Sequence, residues 1–242
     1  IAGMVIVIIV LGFALVILTI GQASRTTQEA ERPVNALTQS NNDCVVCHWE
    51  ETPGIVDQYG ISTMAAAEVN CQDCHEVEGG YPGAVEHEGI FILASPTTAK
   101  CEKCHNQEVA EYNQSRHGLP AYVAVAGARE LSPTHLALYE AIPEGSFAPD
   151  KSRNAIAELE GPDLVRFTCF GCHNIGKPAL DGSVGQCQKC HLRHRFSLEQ
   201  ARKPETCNAC HIGPDHPQYE IYIESPHGIS YLTGGDEWNW EA

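Results

Sequence analysis

Several residue types on which globular proteins usually depend are scarce in this sequence. Its 242 residues include only 6 Phe, 3 Trp and 2 Met. Such a composition does not describe an ordinary globular enzyme packed around a large aliphatic core. Patterns typical of β-strands are also few, so the sequence favours helices and loops over a fold built on sheets.

Basic side chains are scarce as well. The chain has 15 Lys and Arg against 31 Asp and Glu, which gives a formal net charge of −16 at pH 7. A surface with this balance repels phosphate backbones, which argues against nucleic acid as a partner. A basic protein would be attracted to it, although a solvated acidic face would have the same composition.

Cysteines, by contrast, are abundant, and none lies outside one repeated motif. All 12 Cys form six Cys-x-x-Cys pairs, and a His follows each pair at once. The six motifs are Cys44, Cys47 and His48; Cys71, Cys74 and His75; Cys101, Cys104 and His105; Cys169, Cys172 and His173; Cys187, Cys190 and His191; and Cys207, Cys210 and His211.

Three ordinary roles of paired cysteines leave the adjacent His unexplained. These roles are a disulfide framework, a structural zinc site built from two such pairs, and a thioredoxin-like redox pair. Covalent c-type haem explains the whole motif, because the two thiols add to the porphyrin vinyl groups and the His coordinates the iron on its proximal side. The sequence therefore predicts six covalently bound haem c groups, which would form much of the core of their domain.

Six His remain outside the motifs, and haem iron accepts one further ligand on its distal side. They are His87, His117, His135, His194, His216 and His227, whereas the only methionines are Met4 and Met64. Bis-His ligation must therefore dominate, and it favours low reduction potentials because Met ligation raises them. Any single one of these His could instead be a surface or hydrogen-bonded side chain.

The first 20 residues contain no charged side chain. As a helix they would extend about 30 Å, the thickness of the hydrocarbon layer of a bilayer. Residues 1–20 are thus predicted to form one transmembrane helix, since the apolar part of a cleaved signal peptide is usually shorter. Residues 21–43 are predicted to be a polar linker and residues 44–242 a hexahaem cytochrome c domain. Because c-type haem is attached outside the cytoplasmic membrane, we expect a single-pass protein of that membrane with its haem domain on the periplasmic side.

The motifs are unevenly spaced along the chain. The first cysteines of successive motifs lie 27, 30, 68, 18 and 20 residues apart, which leaves a long insert between two groups of three. A solenoid is not predicted, because neither the period nor the flanking sequence repeats. Apolar residues at helical spacing predict short helices in EVAEYNQSRHG, HLALYEAIPEG and SRNAIAELEG, of which the first two would carry His117 and His135. The expected fold class is mainly α, with many loops.

The last two motifs stand in the segment CQKCHLRHRFSLEQARKPETCNACHIGPDHPQYEIYIESPHG. This segment, with CVVCHWEETPGIV and the SRHG around His117, resembles the multihaem hydroxylamine oxidoreductase family, an octahaem cytochrome c family. The resemblance covers about residues 42–228. It implies a mostly α-helical fold in which all haems but one are bis-His electron carriers.

The resemblance also implies a catalytic role for the fourth haem, whose distal side is open in that family. Its proximal ligand here would be His173, and the Asp-His pair facing the iron would be Asp215 and His216. Such a pair can move protons to or from a nitrogen substrate. The distal ligands of the five other haems would then be His87, His117, His135, His194 and His227.

Three features depart from the family pattern. The sequence contains neither the two further haem motifs that normally follow the SPHG-like segment nor the later crosslinking Tyr, and it adds the N-terminal anchor. The leading hypothesis is therefore an anchored extracytoplasmic cytochrome that relays electrons between a quinol-linked membrane complex and a periplasmic partner, such as a soluble cytochrome. The alternatives are an enzyme acting on hydroxylamine, hydrazine or nitrite at the fourth haem, and a conducting filament subunit. Association into a homo-oligomer stays open.

Overall fold

The computed structural model describes residues 42–142 and 148–240. The predicted anchor and nearly all of the predicted linker lie outside these residues, so the domain boundaries at 20 and 43 stay predictions. Within the described residues, no helix is long and apolar enough to span a membrane. The chain divides into two compact units, the first ending at Ile61 and the second beginning at Ser62.

The described part of the first unit is a pair of helices. Helix α1 spans Asp43–Glu51 and helix α2 spans Pro53–Gly60. The side chain of Asn42 begins α1 by accepting a hydrogen bond from the backbone N–H of Cys44 at 2.9 Å, which satisfies one of the free donors of the first turn. Pro53 starts α2 at a position where its missing N–H costs nothing.

The second unit contains short helices joined by loops, as the sequence predicts. They are α3 Thr63–Ala66, α4 Cys71–His75, α5 Thr98–Glu102, α6 Asn106–Asn113, α7 Leu119–Ala126, α8 Pro133–Glu140, α9 Ala155–Val165, α10 Cys169–His173, α11 Leu198–Arg202, α12 Pro204–Asn208, α13 Gln218–Glu224 and α14 Pro226–Gly234. Single 3₁₀ turns lie at Ala128–Glu130, Asn174–Gly176, Cys187–Lys189 and Gly235–Glu237. The expectation of a mainly α, loop-rich fold is confirmed.

The helices of the long insert begin where the sequence places good caps. Ser132 caps α8 and Asn154 caps α9, each through side-chain acceptance of backbone N–H groups. Helix α9 is kinked at Gly161, whose φ of 77° lies in the left-handed region. His135 lies on α8, as predicted, but α6 ends at Asn113, so His117 follows the helix and lies in a loop.

One small sheet interrupts the helical pattern. Strands β1 Glu76–Val77, β2 Val85–His87 and β3 Ile90–Ile92 are antiparallel, with β3 between the other two. The turn between β2 and β3 consists of Glu88 and Gly89, with φ angles of 50° and 81°. Two positive φ values are typical of the tight two-residue hairpin turn whose twist suits the flanking strands.

The aliphatic core of the described residues is small. One cluster joins α7, α8 and the loop before Cys187; its buried members are Leu119, Val123, Ala128, Tyr139, Ile142 and Val184. A second cluster joins Val125 of α7 to Ala157 and Val165 of α9, with Phe170 packed against it. Both clusters surround α7, so this helix is the packing centre of the second unit.

Candidate haem-binding sites

Most of the motifs adopt helical or 3₁₀ turns. The first motif lies inside α1, the second and fourth are the short helices α4 and α10, and the fifth begins in a 3₁₀ turn. A helical turn places residues three apart on one face, so the two sulfur atoms of a motif point the same way. All 12 cysteines are free thiols. The sulfur chemistry therefore fits two thioether bonds per motif.

Ring separations test whether the histidines could bind haem iron in pairs. An imidazole nitrogen binds a metal at about 2 Å, and the ring centre lies about 1 Å behind it, so two rings on one iron have centres about 6 Å apart. The rings of His75 and His194 are 6.2 Å apart, and those of His117 and His211 are 5.9 Å apart. Both pairs join a predicted proximal ligand to a predicted distal one.

His216, the predicted catalytic His, lies at the same kind of separation from His173. The two ring centres are 5.9 Å apart. His216 also lies 6.3 Å from His211, but His211 already has His117 as its nearer neighbour. Asp215, the other half of the predicted catalytic pair, is exposed to solvent. The structure thus places the ring of His216 next to the fourth motif, whereas the carboxylate of Asp215 is not buried there.

The outer nitrogens of several proximal histidines are fixed by hydrogen bonds. Nδ1 of His75 is 2.7 Å from the carbonyl oxygen of Leu93, and Nδ1 of His173 is 2.7 Å from that of Ala121. Nδ1 of His48 is 2.7 Å from the Thr52 hydroxyl oxygen. A metal-bound His commonly donates its second ring N–H in this way, which fixes the ring and leaves Nε2 for the metal.

For the other predicted ligands, the positions and single contacts of the side chains are as follows. His87 lies on β2, and His227 lies in the first turn of α14. His105 is next to Glu108, with 3.8 Å between Nδ1 and the carboxylate. Burial, with a smaller contribution from the nearby His105, lowers the pKa of His191. The predicted distal roles of His87, His135 and His227 stay predictions.

Thiols from different motifs also meet. A hydrogen bond between the Cys101 and Cys187 thiols raises the pKa of Cys101 and lowers that of Cys187 to about 6. Burial and a hydrogen bond to Cys172 raise the pKa of Cys210 to about 11. The attachment points of the third and fifth haems are therefore adjacent, and so are those of the fourth and sixth.

Apolar side chains beside the motifs are exposed. Examples are Val46 between the first two cysteines, Phe167 before Cys169, and Leu192 and Ile212, each directly after a motif His. A porphyrin is a large apolar plate, and its attachment here would remove such side chains from water. Among the described residues, no three His, Cys, Asp or Glu side chains converge on one metal-ion position. The thiols, paired imidazoles and apolar surroundings fit haem.

A hydrogen-bonded loop between the fourth and fifth motifs was not predicted from the sequence. It spans residues 177–186 and is centred on Asp181, whose carboxylate accepts from the Tyr81 and Thr97 hydroxyls at 2.7 and 2.5 Å. Ser183 donates to it from its backbone N–H and its hydroxyl, at 2.9 and 2.7 Å. These contacts join the loop between β1 and β2, the residue before α5 and the segment that leads to Cys187. The only local signal was the turn-forming sequence Asp-Gly-Ser.

Family models match the chain in two parts. The model described as "Seven times multi-haem cytochrome CxxCH" matches residues 67–242, and that described as "Cytochrome c554 and c-prime" matches residues 17–76. The motifs and these matches define a multihaem c-type cytochrome with covalently bound haem c. The chain belongs to the multi-haem CxxCH cytochromes, and its resemblance to the multihaem hydroxylamine oxidoreductase family is confirmed.

Individual relatives agree with this assignment. A probable nitrite reductase-hydroxylamine oxidoreductase fusion protein of Kuenenia stuttgartiensis is 30% identical over 239 residues, which is 88% of this chain and 24% of that protein. A solved hypothetical multiheme protein has a TM-score of 0.63 at 24% identity, covering 89% of this chain and 50% of its own. A chain of a reducing HAO-like protein complex of Kuenenia stuttgartiensis has a TM-score of 0.52 at 26% identity, with coverage of 88% and 40%. The chain thus spans half or less of these relatives.

The predicted haem number can be counted directly. We expect six haems per chain, measured by the intact mass of the holoprotein and by haem iron content. Replacement of both Cys71 and Cys74 by Ala should remove one haem, because both covalent bonds of the second motif are lost. A control that replaces the nearby Gln72 by Ala should keep all six. A wild-type count below six would show that some motifs remain unmodified.

Proposed function

We propose that this chain is an electron-relay cytochrome in which the fourth haem, like its neighbours, has a His on both sides of the iron. The observation that carries the proposal is the 5.9 Å separation of the His173 and His216 rings. It equals the separation of His117 and His211, a pair to which no catalytic role is assigned. A His bound at the sixth position blocks the approach of a substrate to the iron.

The contacts between motifs support a relay function. Sulfur atoms of the third and fifth motifs meet at Cys101 and Cys187, and those of the fourth and sixth meet at Cys172 and Cys210. Haems attached to these neighbouring thiols would be close enough to exchange electrons directly. Bis-His ligation also keeps the potentials low, since Met ligation would raise them. Electrons can then pass along the chain without a substrate binding to any of these irons.

The relay is proposed to work at the outer face of the cytoplasmic membrane. The uncharged residues 1–20 would supply the anchor, and the periplasmic side is where c-type haem is attached. A quinol-linked membrane complex would exchange electrons with one end of the relay. The net charge of −16 suits a basic soluble cytochrome as the partner at the other end. The solved relative in a protein complex supports redox proteins as partners.

The second candidate function is catalysis at the fourth haem. It is favoured by the exposed Asp215 beside His216 and by the nitrite reductase-hydroxylamine oxidoreductase name of one relative. In this case His216 would face the iron without binding it. Together with Asp215, it would move protons during the conversion of hydroxylamine, hydrazine or nitrite.

The distal position of the fourth haem distinguishes the two functions. We expect His216→Ala to convert one low-spin haem into a high-spin haem, because the iron loses its sixth ligand. The measurement is quantitative electron paramagnetic resonance of the ferric holoprotein. His194→Ala is the matched control, since it removes the partner of His75 and should produce the same change. Asp215→Asn should leave the spectrum and the rate of electron transfer to a redox dye unchanged.

The catalytic alternative makes the opposite prediction. If the fourth haem is open in the wild type, His216→Ala adds no high-spin haem, while His194→Ala still does. Asp215→Asn would then lower turnover of hydroxylamine or nitrite, typically by two orders of magnitude or more for loss of a proton-transfer group. That combination would overturn the relay proposal.

A further inference from the structure

The second and fifth motifs differ at only one position. They read Cys-Gln-Asp-Cys-His and Cys-Gln-Lys-Cys-His, so Asp73 and Lys189 occupy the same place before the second cysteine. Asp73 is used locally, since its carboxylate accepts the backbone N–H of Asn70 at 2.8 Å and completes the cap of α4. Haem attachment therefore does not fix the charge at this position, and the lysine of the fifth motif needs its own explanation.

The side chain of Lys189 reaches from its own motif to the fourth. Its ammonium nitrogen lies 3.2 Å from the carbonyl oxygen of Gly171, which stands between the two cysteines of the fourth motif. This oxygen belongs to the last turn of α10, where carbonyl groups have no partner within the helix. A lysine carries a positive charge at neutral pH, and the C-terminal end of a helix favours such a charge. The fifth motif thus holds a cation at the fourth.

The same ammonium group lies near the contact between the fourth and sixth motifs. Burial and a hydrogen bond to Cys172 raise the pKa of the Cys210 thiol, and the charge of Lys189 acts in the opposite direction. Among the described residues, no carboxylate forms an ion pair with Lys189. Its side chain is half-buried, and salt screens partly buried charges less than exposed ones. The cation beside the fourth motif is therefore not neutralised by a neighbouring acid.

A positive charge beside a haem raises its reduction potential. Reduction adds one electron to the ferric iron, so the ferrous haem is more negative by one charge and is favoured by a nearby cation. A unit charge about 10 Å away, at an effective dielectric constant of about 20, favours the reduced form on the order of tenfold. The chain as a whole acts in the opposite direction, because its formal net charge is −16.

We propose that Lys189 raises the reduction potential of the haem attached at the fourth motif, where Gly171 holds its cation. The electron that reduces this iron comes from a neighbouring ferrous haem, which is oxidised by one electron in the same step. A larger share of the electrons on the chain then resides at the fourth haem. This consequence for electron flow rests on the proposed relay, whereas the effect on the potential is the same whether His216 binds the iron or only faces it.

The variant Lys189→Gln separates the charge from the hydrogen bond, because Gln keeps a side-chain N–H that can donate to Gly171. We expect the equilibrium constant for reduction of the fourth haem to fall about tenfold, which corresponds to about 59 mV for a one-electron couple. The measurement is a potentiometric titration of the holoprotein, followed by visible absorption and electron paramagnetic resonance. Lys189→Arg retains the charge and should keep the wild-type potential nearly unchanged.

The fourth haem has to be identified among the components of the titration. The double variant Cys169→Ala, Cys172→Ala identifies it by its absence. If that protein does not accumulate, His173→Met identifies the same component, because a Met ligand raises its potential. Lys103→Gln is the matched control, since Lys103 has the same position in the third motif and its charge lies close to the Cys74 thiol. This control should leave the potential of the fourth haem unchanged.

Three results would overturn the inference. They are an unchanged potential of the fourth haem in Lys189→Gln, an equal fall in the potentials of all haems, and an equal fall in Lys189→Gln and Lys189→Arg. The second result would be a general effect of net charge, and the third would mean that Lys189 only packs against α10. None of them bears on the relay proposal, which depends on the spin state of His216→Ala. An open fourth haem would defeat the relay and leave the shift in Lys189→Gln in place.

Discussion

Replacement of Gly176 by Ala should lower the free energy of unfolding by about 3 kcal/mol, at the upper end of the usual cost of overpacking a core. A Cβ atom at this position would lie 1.7 Å from the carbonyl oxygen of Gly118. Two backbone segments, not flexible side chains, meet here, so one of them has to move. Tyr112 lies at the same junction, and its hydroxyl shares its single proton between the carbonyl oxygens of His117 and Ile175, at 2.7 and 2.6 Å.

The effect of this substitution should extend to two haems. Gly118 precedes α7, whose Ala121 carbonyl accepts from His173, and it follows His117 directly. Displacement of the segment would therefore disturb His173, the predicted proximal ligand of the fourth haem, and His117, a predicted distal ligand whose ring lies next to that of His211. Urea unfolding followed by circular dichroism measures the stability, and high-spin absorption measures the ligation.

Gly54→Ala is the control for the backbone clash. A Cβ at Gly54 in α2 meets nothing within 4 Å, and Ala is the better helix former by about 1 kcal/mol. Its unfolding midpoint should be equal to that of the wild type or slightly higher. An unchanged midpoint in Gly176→Ala would mean that the junction of residues 118 and 176 is not tightly packed in the holoprotein.

Replacement of Asp181 by Ala should destabilise the protein by about 2 kcal/mol at neutral pH, since hydrogen bonds to a charged group are worth about 1.5–3 kcal/mol and this carboxylate is only half-buried. The four hydrogen bonds from Tyr81, Thr97 and Ser183 all depend on it. Ser183→Ala removes only one donor hydroxyl and should cost about 0.5–1 kcal/mol. An equal loss in both variants would contradict the central role of Asp181.

The contribution of Asp181 should also depend on pH. Burial alone would raise the pKa of this carboxyl, but hydrogen bonds from Thr97, Ser183 and Tyr81 outweigh burial and hold the pKa below its ordinary value of 3.8. A carboxyl whose pKa is lower in the folded protein stabilises the fold above the unfolded value and loses this contribution as pH falls through the folded value. The difference between wild type and Asp181→Ala should be constant from pH 5 to 8 and shrink below about pH 4. Urea titrations at several pH values would measure it.

The sequence was sufficient to predict those features that depend on residues close together in the chain. Two Cys and a His within five residues predict haem attachment without knowledge of the fold, because the spacing itself positions the thiols. The helices after Ser132 and Asn154 were predictable for a similar reason, since cap and apolar spacing lie in one short segment. The family resemblance around GPDHPQ predicted that His216 lies near the fourth motif. Whether its ring binds the iron or only faces it depends on distances that the sequence does not contain.

Other features depend on contacts between distant residues. Glu88 and Gly89 form the hairpin turn, but Glu is a rare choice for a positive φ, so the strand with His87 gave no recognisable signal. Asp181 lies 100 residues from Tyr81 in sequence. The contact of His135 with Gly182 was not predictable either, because Gly182 contributes only a backbone oxygen.

Main-chain carbonyls hold two of the proximal imidazoles, at Leu93 for His75 and at Ala121 for His173. A hydrogen bond from Nδ1–H makes the imidazole a stronger electron donor to its metal. Since every amino acid supplies the same oxygen, substitutions at positions 93 and 121 that preserve the backbone leave this influence on the iron intact. If haems are bound at His75 and His173, substitutions at the accepting residues should therefore leave their reduction potentials nearly unchanged. The potential of a haem at His48 should be more sensitive, because its acceptor is the side chain of Thr52.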